Sequence, residues 1–129
     1  MAIQIEDNET AVRRLYEEVN AGIKSISIPL PGVQDSQKQP LKHFATFFYL
    51  LRDSFSGCEL TINKILSKGD KVMVKYSVCG TQNNEFLGVP PSKDIMIVTG
   101  LDVFRFDKGK VVEYWDTAHQ ITAQRTVRY

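Results

Sequence analysis

His119, Asp102, Arg105 and Glu113 are the side chains of this sequence best suited to move or hold a proton or a charge. An imidazole titrates near neutrality, so His119 is a candidate general base, with Asp102 or Glu113 orienting or charging it. Arg105 offers a planar fork of donors that can clamp a ligand carboxylate, although an arginine on a covered strand more often makes structural ion pairs. Trp115 and Phe104 lie among these residues, and Tyr16, Phe48 and Tyr76 arrive from earlier in the chain. All five aromatics can wall a cavity, and as core residues they need no ligand at all. His43 stands beside the apolar stripe of a helix and reads as a surface or rim residue.

One hairpin has to position most of this set. Ile95 to Phe106 and Val111 to Ala118 are rich in Ile, Val, Thr and aromatic residues, as strands are. Asp107-Lys108-Gly109-Lys110 between them is turn chemistry, because Gly109 can take the positive φ of a tight reversal. A turn there sets Phe106 against Val111. Carried on, that register puts Glu113 opposite Phe104, Trp115 opposite Asp102 and Thr117 opposite Gly100. His119 joins them on this face. Val112, Tyr114 and Asp116 then oppose Arg105, Val103 and Leu101 on the other face. Asp102 and His119 are about four residues apart along the strand, on the order of 13 Å, so a direct dyad needs a bulge or a bridging water.

The remaining elements supply a cover. Asp7 or Asn8 can cap a helix in which Val12, Leu15, Tyr16 and Val19 share a stripe and which Gly22 ends. Residues 24–39 read as loop, with Pro29, Pro31 and Gly32 followed by a polar run. Pro40 opens a second helix, its apolar face running Leu41, Phe44, Phe48, Leu51 and Phe55, and Gly57 stops it. Cys58 to Leu66 and Lys71 to Thr81 are strands about a Lys68-Gly69-Asp70 turn, with Val72, Val74, Tyr76 and Val78 on one face. Ile121 to Val127 can finish the last strand.

Composition bounds the function classes. A chain of 129 residues, 43% hydrophobic, suits one domain with a substantial core. A net charge of +1 gives no field for nucleic acid or an anionic membrane. No apolar run nears the ~20 residues of a membrane span, and no leader pattern opens the chain. Cys58 and Cys79 are too few for a disulfide framework and read as free thiols of a reducing compartment. A cytoplasmic protein of one domain, residues 1–129, is the expectation.

The run Gly88-Val89-Pro90-Pro91-Ser92, then Gly100-Leu101-Asp102-Val103-Phe104-Arg105, Gly109-Lys110-Val111, Glu113 and Trp115, closely resembles the SnoaL-like branch of the NTF2-like superfamily. That branch shows G-x-P-P-[ST]-G, then G-x-D-x-F-R-x-x-x-G-K-[IV]-x-E-x-W. The resemblance implies an α+β cone, with N-terminal helices on a strongly curved, mixed but mostly antiparallel sheet around an apolar pocket. It also implies a homodimer, through the second sheet face with Leu101, Val103, Val112 and Tyr114.

In SnoaL-like polyketide cyclases a carboxylate four residues after the motif tryptophan is the general acid/base of an aldol closure that needs no cofactor or metal. Here that position is His119. Three further departures stand out: Gln82 replaces the histidine of a G-T-H motif, Lys93 replaces the last glycine of the P-P turn, and segment 24–39 is short. The first expectation is therefore a cofactor-independent cyclase or isomerase acting on a hydrophobic carbonyl compound, with His119 as base, Asp102 and Arg105 as polar support, and Trp115, Tyr16, Phe48, Tyr76, Phe104 and Glu113 lining the site. The second is a non-catalytic module that binds an apolar ligand or docks a protein. Epoxide hydrolysis by Asp102, Arg105 and Asp116 ranks below both, because 105 and 116 share the face opposite 102.

Overall fold

The computed structural model describes residues 7–24, 39–116 and 120–123. Two helices, α1 (Asn8–Lys24) and α2 (Gln39–Ser54), precede five strands: β1 (Phe55–Lys68), β2 (Lys71–Gln82), β3 (Ile95–Asp107), β4 (Lys110–Asp116) and β5 (Gln120–Ala123). The sheet order is β1-β2-β3-β4, and β5 also pairs with β3, so β4 and β5 flank the two halves of that long strand. Every pairing among the described strands is antiparallel. Both helices pack on one face of this curved sheet, which is the α+β arrangement that the helix-then-strand order implies.

Asp7 caps α1, its Oδ1 accepting from the Thr10 amide at 2.7 Å. Gly22 does not end that helix: it is buried inside it, and its carbonyl accepts from Arg52 Nη1 at 3.2 Å. Nor does α2 reach Gly57. It stops at Ser54, and Phe55 opens β1, packing its ring 5.1 Å from that of Phe86. Helical spacing carried Phe55 onto the α2 stripe because the last helical turn and the first strand residue both point into the same core. The short segment before α2 lies, for residues 25–38, outside the described residues.

β2 alternates as expected, with Val72, Val74, Tyr76 and Val78 inward and Met73 and Lys75 outward. The hairpin turn is also as expected. Asp107 pairs with Lys110 around Lys108 and Gly109, both at positive φ (53° and 78°), the twist-matched two-residue reversal. Lys93 likewise sits at φ 59°, so the backbone takes a left-handed step where the family pattern has glycine.

The register beyond that turn differs from the sequence expectation. Phe106 pairs with Val111, but Arg105 then pairs with Glu113, leaving Val112 as the extra residue of a β-bulge. From there each partner moves by one: Phe104 faces Tyr114, Val103 faces Trp115, and Asp102 faces Asp116. Because side chains alternate, this single residue turns Tyr114 and Asp116 to the helix-covered face and sends Glu113 and Trp115 outward. No helix among the described residues is long and apolar enough to cross a membrane.

Candidate functional site

The helix-covered face closes on aromatic rings. Tyr16 of α1 lies at the centre, with its ring 5.4 Å from Phe44, 6.3 Å from Phe48, 5.9 Å from Tyr76 and 6.2 Å from Phe104. Most of these contacts are edge-on, the arrangement aromatic quadrupoles favour. The amphipathic spacing of α1 and α2 drives Tyr16, Phe44 and Phe48 inward, and the alternation of β2 and β3 does the same for Tyr76 and Phe104. The four expected wall residues Tyr16, Phe48, Tyr76 and Phe104 are thus together.

Asp102 sits in the middle of this apolar wall with no exposed surface, the only buried carboxyl among the described residues. Its Oδ2 accepts a short hydrogen bond from the Tyr16 hydroxyl, and its Oδ1 accepts from the Tyr114 hydroxyl at 2.8 Å. Two effects compete for its proton. Burial disfavours the charged form, whereas the two hydroxyls stabilise it; Asp116, directly across on β4, adds a like charge. Burial wins, and the Asp102 carboxyl is pushed up to about 7. Burial first, and the Asp102 charge second, hold the Tyr16, Tyr76 and Tyr114 phenols well above their ordinary range, so all three keep their protons.

Tyr76 brings a further hydroxyl to this neighbourhood, buried and without a hydrogen-bond partner among the described residues. Its space depends on Gly100, its cross-strand partner: a Cβ there would lie 2.4 Å from the Tyr76 hydroxyl oxygen. Gly100→Ala is therefore expected to lower stability by about 1–3 kcal/mol, as other overpacked cores do. Thermal unfolding checks this, and Tyr76→Phe in the Gly100→Ala background should recover part of the loss.

Of these four polar residues only Tyr114 has appreciable exposed surface. With His43, Thr46, Phe47, Leu50 and Asp116 it lines an open groove of about 330 Å³ between α2 and β4. That volume falls in the range of small-molecule sites, roughly 300–1,000 Å³. His43 is exposed on its rim, as the sequence suggests.

Three expected site residues stand elsewhere. Arg105 lies on the outer face, where its Nε donates to Glu113 Oε1 at 2.8 Å, its Nη2 makes a shorter contact with the same oxygen, and its Nη1 is 3.8 Å from Asp70. Arg105 and Glu113 are thus tied to each other and away from Asp102. Trp115 is 43% exposed on that same outer face. The bulge at Val112 is the cause in each case where register was misjudged. It also brings Asp102 and Asp116 opposite one another while leaving Arg105 behind, so the Asp-Arg-Asp set for epoxide opening is not assembled. His119 lies outside the described residues.

Tyr114 and Phe44 are the participants that sequence reasoning missed. Phe44 carried a signal, since it lies on the α2 stripe. Tyr114 carried none, because its inward direction depends on the bulge.

A family model for SnoaL-like polyketide cyclase matches residues 6–127. No curated protein matches the chain. Among solved structures, TsrD from Streptomyces laurentii is similar with a TM-score of 0.62 at 20% identity, covering 87% of this chain and 90% of that one. AclR from Streptomyces galilaeus, described as a proposed hydroxylase, gives 0.60 at 20% identity over 85% and 90%. IdmH from Streptomyces antibioticus, described as a proposed polyketide cyclase, gives 0.57 at 24% identity over 82% and 87%. At these identities the likeness is one of fold.

Proposed function

Because the chain belongs to the SnoaL-like polyketide cyclase family, we propose that it is a cofactor-independent cyclase or isomerase of a hydrophobic, carbonyl-bearing small molecule. The observation that carries this reading is Asp102: a carboxyl without exposed surface, raised to about 7 and held by tyrosine hydroxyls in an aromatic wall. A carboxylic acid kept neutral in such a site can donate a hydrogen bond to a developing oxyanion. A substrate carbonyl that takes the place of the Tyr114 hydroxyl would receive the Asp102 O–H, with the Tyr16 hydroxyl adjacent.

His119, at the family's acid/base position, is the proposed base. It takes the proton from the carbon next to the carbonyl, and the electron pair moves onto the oxygen as an enolate. In an isomerisation the proton returns to another carbon. In a cyclisation the enolate carbon forms a bond to a second carbonyl carbon, whose oxygen takes the proton back. Atoms and electrons balance within one substrate, and no oxidant enters. The groove beside Tyr114 supports an approach for the substrate between α2 and β4.

The tight ring packing around Tyr16 favours a second reading, a module that binds an apolar ligand without turning it over. One experiment separates them. In D2O, 2-tetralone loses its α-proton NMR signal when a catalyst enolises it, and 2-naphthol is the aromatic mimic of its enol. Exchange above the buffer rate supports the enzyme. Naphthol binding without exchange favours the module, and neither effect rejects both for this ligand shape.

A further inference from the structure

Tyr76 is the buried polar group that the acid–base reading leaves unused. It has no exposed surface, and among the described residues its hydroxyl is the only buried one without a hydrogen-bond partner. Burying a hydroxyl unpaired costs stability, and phenylalanine would fill the same space without that cost. The ring is held in place, 5.9 Å from the ring of Tyr16 and 5.5 Å from that of Phe48. Its hydroxyl stands where a side chain at position 100 would be, and only glycine leaves that space open. Gln82 Oε1 is likewise buried and unpaired, but it can only accept, and it lies at the far end of β2.

The strands place this hydroxyl relative to the acid. Phe104, Asp102 and Gly100 succeed one another on the inner face of β3. Tyr114 stands across from Phe104, and Tyr76 across from Gly100. Two residues of a strand span about 7 Å, which is the step from Asp102 to Gly100 along the backbone. A ligand entering from the groove therefore meets Tyr114 first, then the Asp102 carboxyl, and the Tyr76 hydroxyl beyond it. The Tyr16 and Tyr114 hydroxyls are already spent on Asp102, whereas that of Tyr76 is not.

We infer that the Tyr76 hydroxyl is a catalytic donor to a second carbonyl of the substrate, which makes that substrate a dicarbonyl compound and its reaction a ring closure. The inference rests on the role proposed above for Asp102. Enolisation alone needs a donor at one oxygen. An aldol closure loads two oxygens in turn, first that of the enolate and then that of the attacked carbonyl, and each gains from a donor already in place. Asp102 serves the first and Tyr76 the second. In the closing step the enolate carbon bonds to the second carbonyl carbon, and the π pair of that carbonyl moves onto its oxygen. The proton taken earlier from the α-carbon ends on the same oxygen. Tyr76 lends a hydrogen bond and keeps its own proton, which burial binds well above the ordinary phenol range.

Two substrates test this with one variant. 2-Tetralone has a single carbonyl and reports enolisation by α-proton exchange. 2-(3-Oxobutyl)-1-tetralone is a 1,5-dicarbonyl whose methyl carbon can close a six-membered ring on the tetralone carbonyl, and its methyl NMR signal disappears as it does so in ordinary water. In Tyr76→Phe, closure is expected to slow roughly 10²-fold, the usual cost of removing one donor to a developing oxyanion. Exchange of 2-tetralone should stay within about twofold of the parent, and the variant should melt no lower, since it loses an unpaired hydroxyl. Closure at the parental rate in Tyr76→Phe overturns the inference. So does a variant that melts lower and loses both rates together, because the hydroxyl would then serve the packing of the chain. A parent that exchanges 2-tetralone but does not close the dicarbonyl overturns the inference and leaves the enolising role of Asp102 standing. A parent that does neither removes both.

Discussion

Asp102→Asn is expected to make the protein more stable at pH 8, by on the order of 4 kcal/mol relative to its effect at pH 4. The parent carboxyl holds its proton up to about 7 when folded, whereas its ordinary value is 3.8. Between those values the folded chain binds the proton more tightly than the unfolded one. Its contribution to stability is therefore fully present below about 4, is lost as pH rises through 7, and changes no further above that. Asparagine cannot ionise. Its oxygen can accept one tyrosine hydroxyl and its amide can donate to the other tyrosine oxygen, so the core keeps its shape. Urea unfolding of parent and variant at pH 4 and pH 8 checks the difference of differences, in which the other titrating groups cancel. A variant whose effect is the same at both pH values would mean that Asp102 ionises freely in the folded chain.

His119→Ala is expected to lower the rate of α-proton exchange by roughly 10²- to 10⁴-fold, the usual contribution of a positioned general base. Affinity for 2-naphthol should stay close to that of the parent, because the base acts on carbon and not on the oxygen that the naphthol mimics. Asp102→Asn should behave differently. In the parent, naphthol binding should weaken as pH rises through about 7, where Asp102 ionises and can no longer donate to the oxygen. The variant should lose that pH dependence. Exchange by the parent should accordingly decline on the alkaline side, while the decline is absent in Asp102→Asn. Unchanged exchange in His119→Ala would remove the histidine from the mechanism and leave the family's acid/base position without a role here.

Much of the fold was legible in the sequence because its signals are local. The stripe containing Tyr16 and Val19 makes α1 amphipathic, the valines of β2 alternate, and Lys108-Gly109 has the residues a two-residue reversal needs. The spaced run from Gly88 to Trp115 carried the family, and with it the cone and the position of Asp102 on a long strand. The inward placement of Tyr16, Phe48, Tyr76 and Phe104 followed from periodicity alone.

Facing in β4 could not be read that way. A bulge adds one residue to one strand at no visible cost in sequence, since Val112 is as good a strand residue as its neighbours. Yet it reverses the side chains of Glu113 to Asp116, and so exchanges Trp115 and Glu113 for Tyr114 and Asp116 on the inner face. The state of Asp102 is likewise a tertiary matter. Its proton is governed by burial beneath α1 and α2 and by a hydroxyl 86 residues away in the chain. The sequence determined which side chains were on offer and the periods that fold them. Only the packed sheet decided which of them share a face, and only that packing removes water from a carboxyl strongly enough to raise it from its ordinary value to about 7.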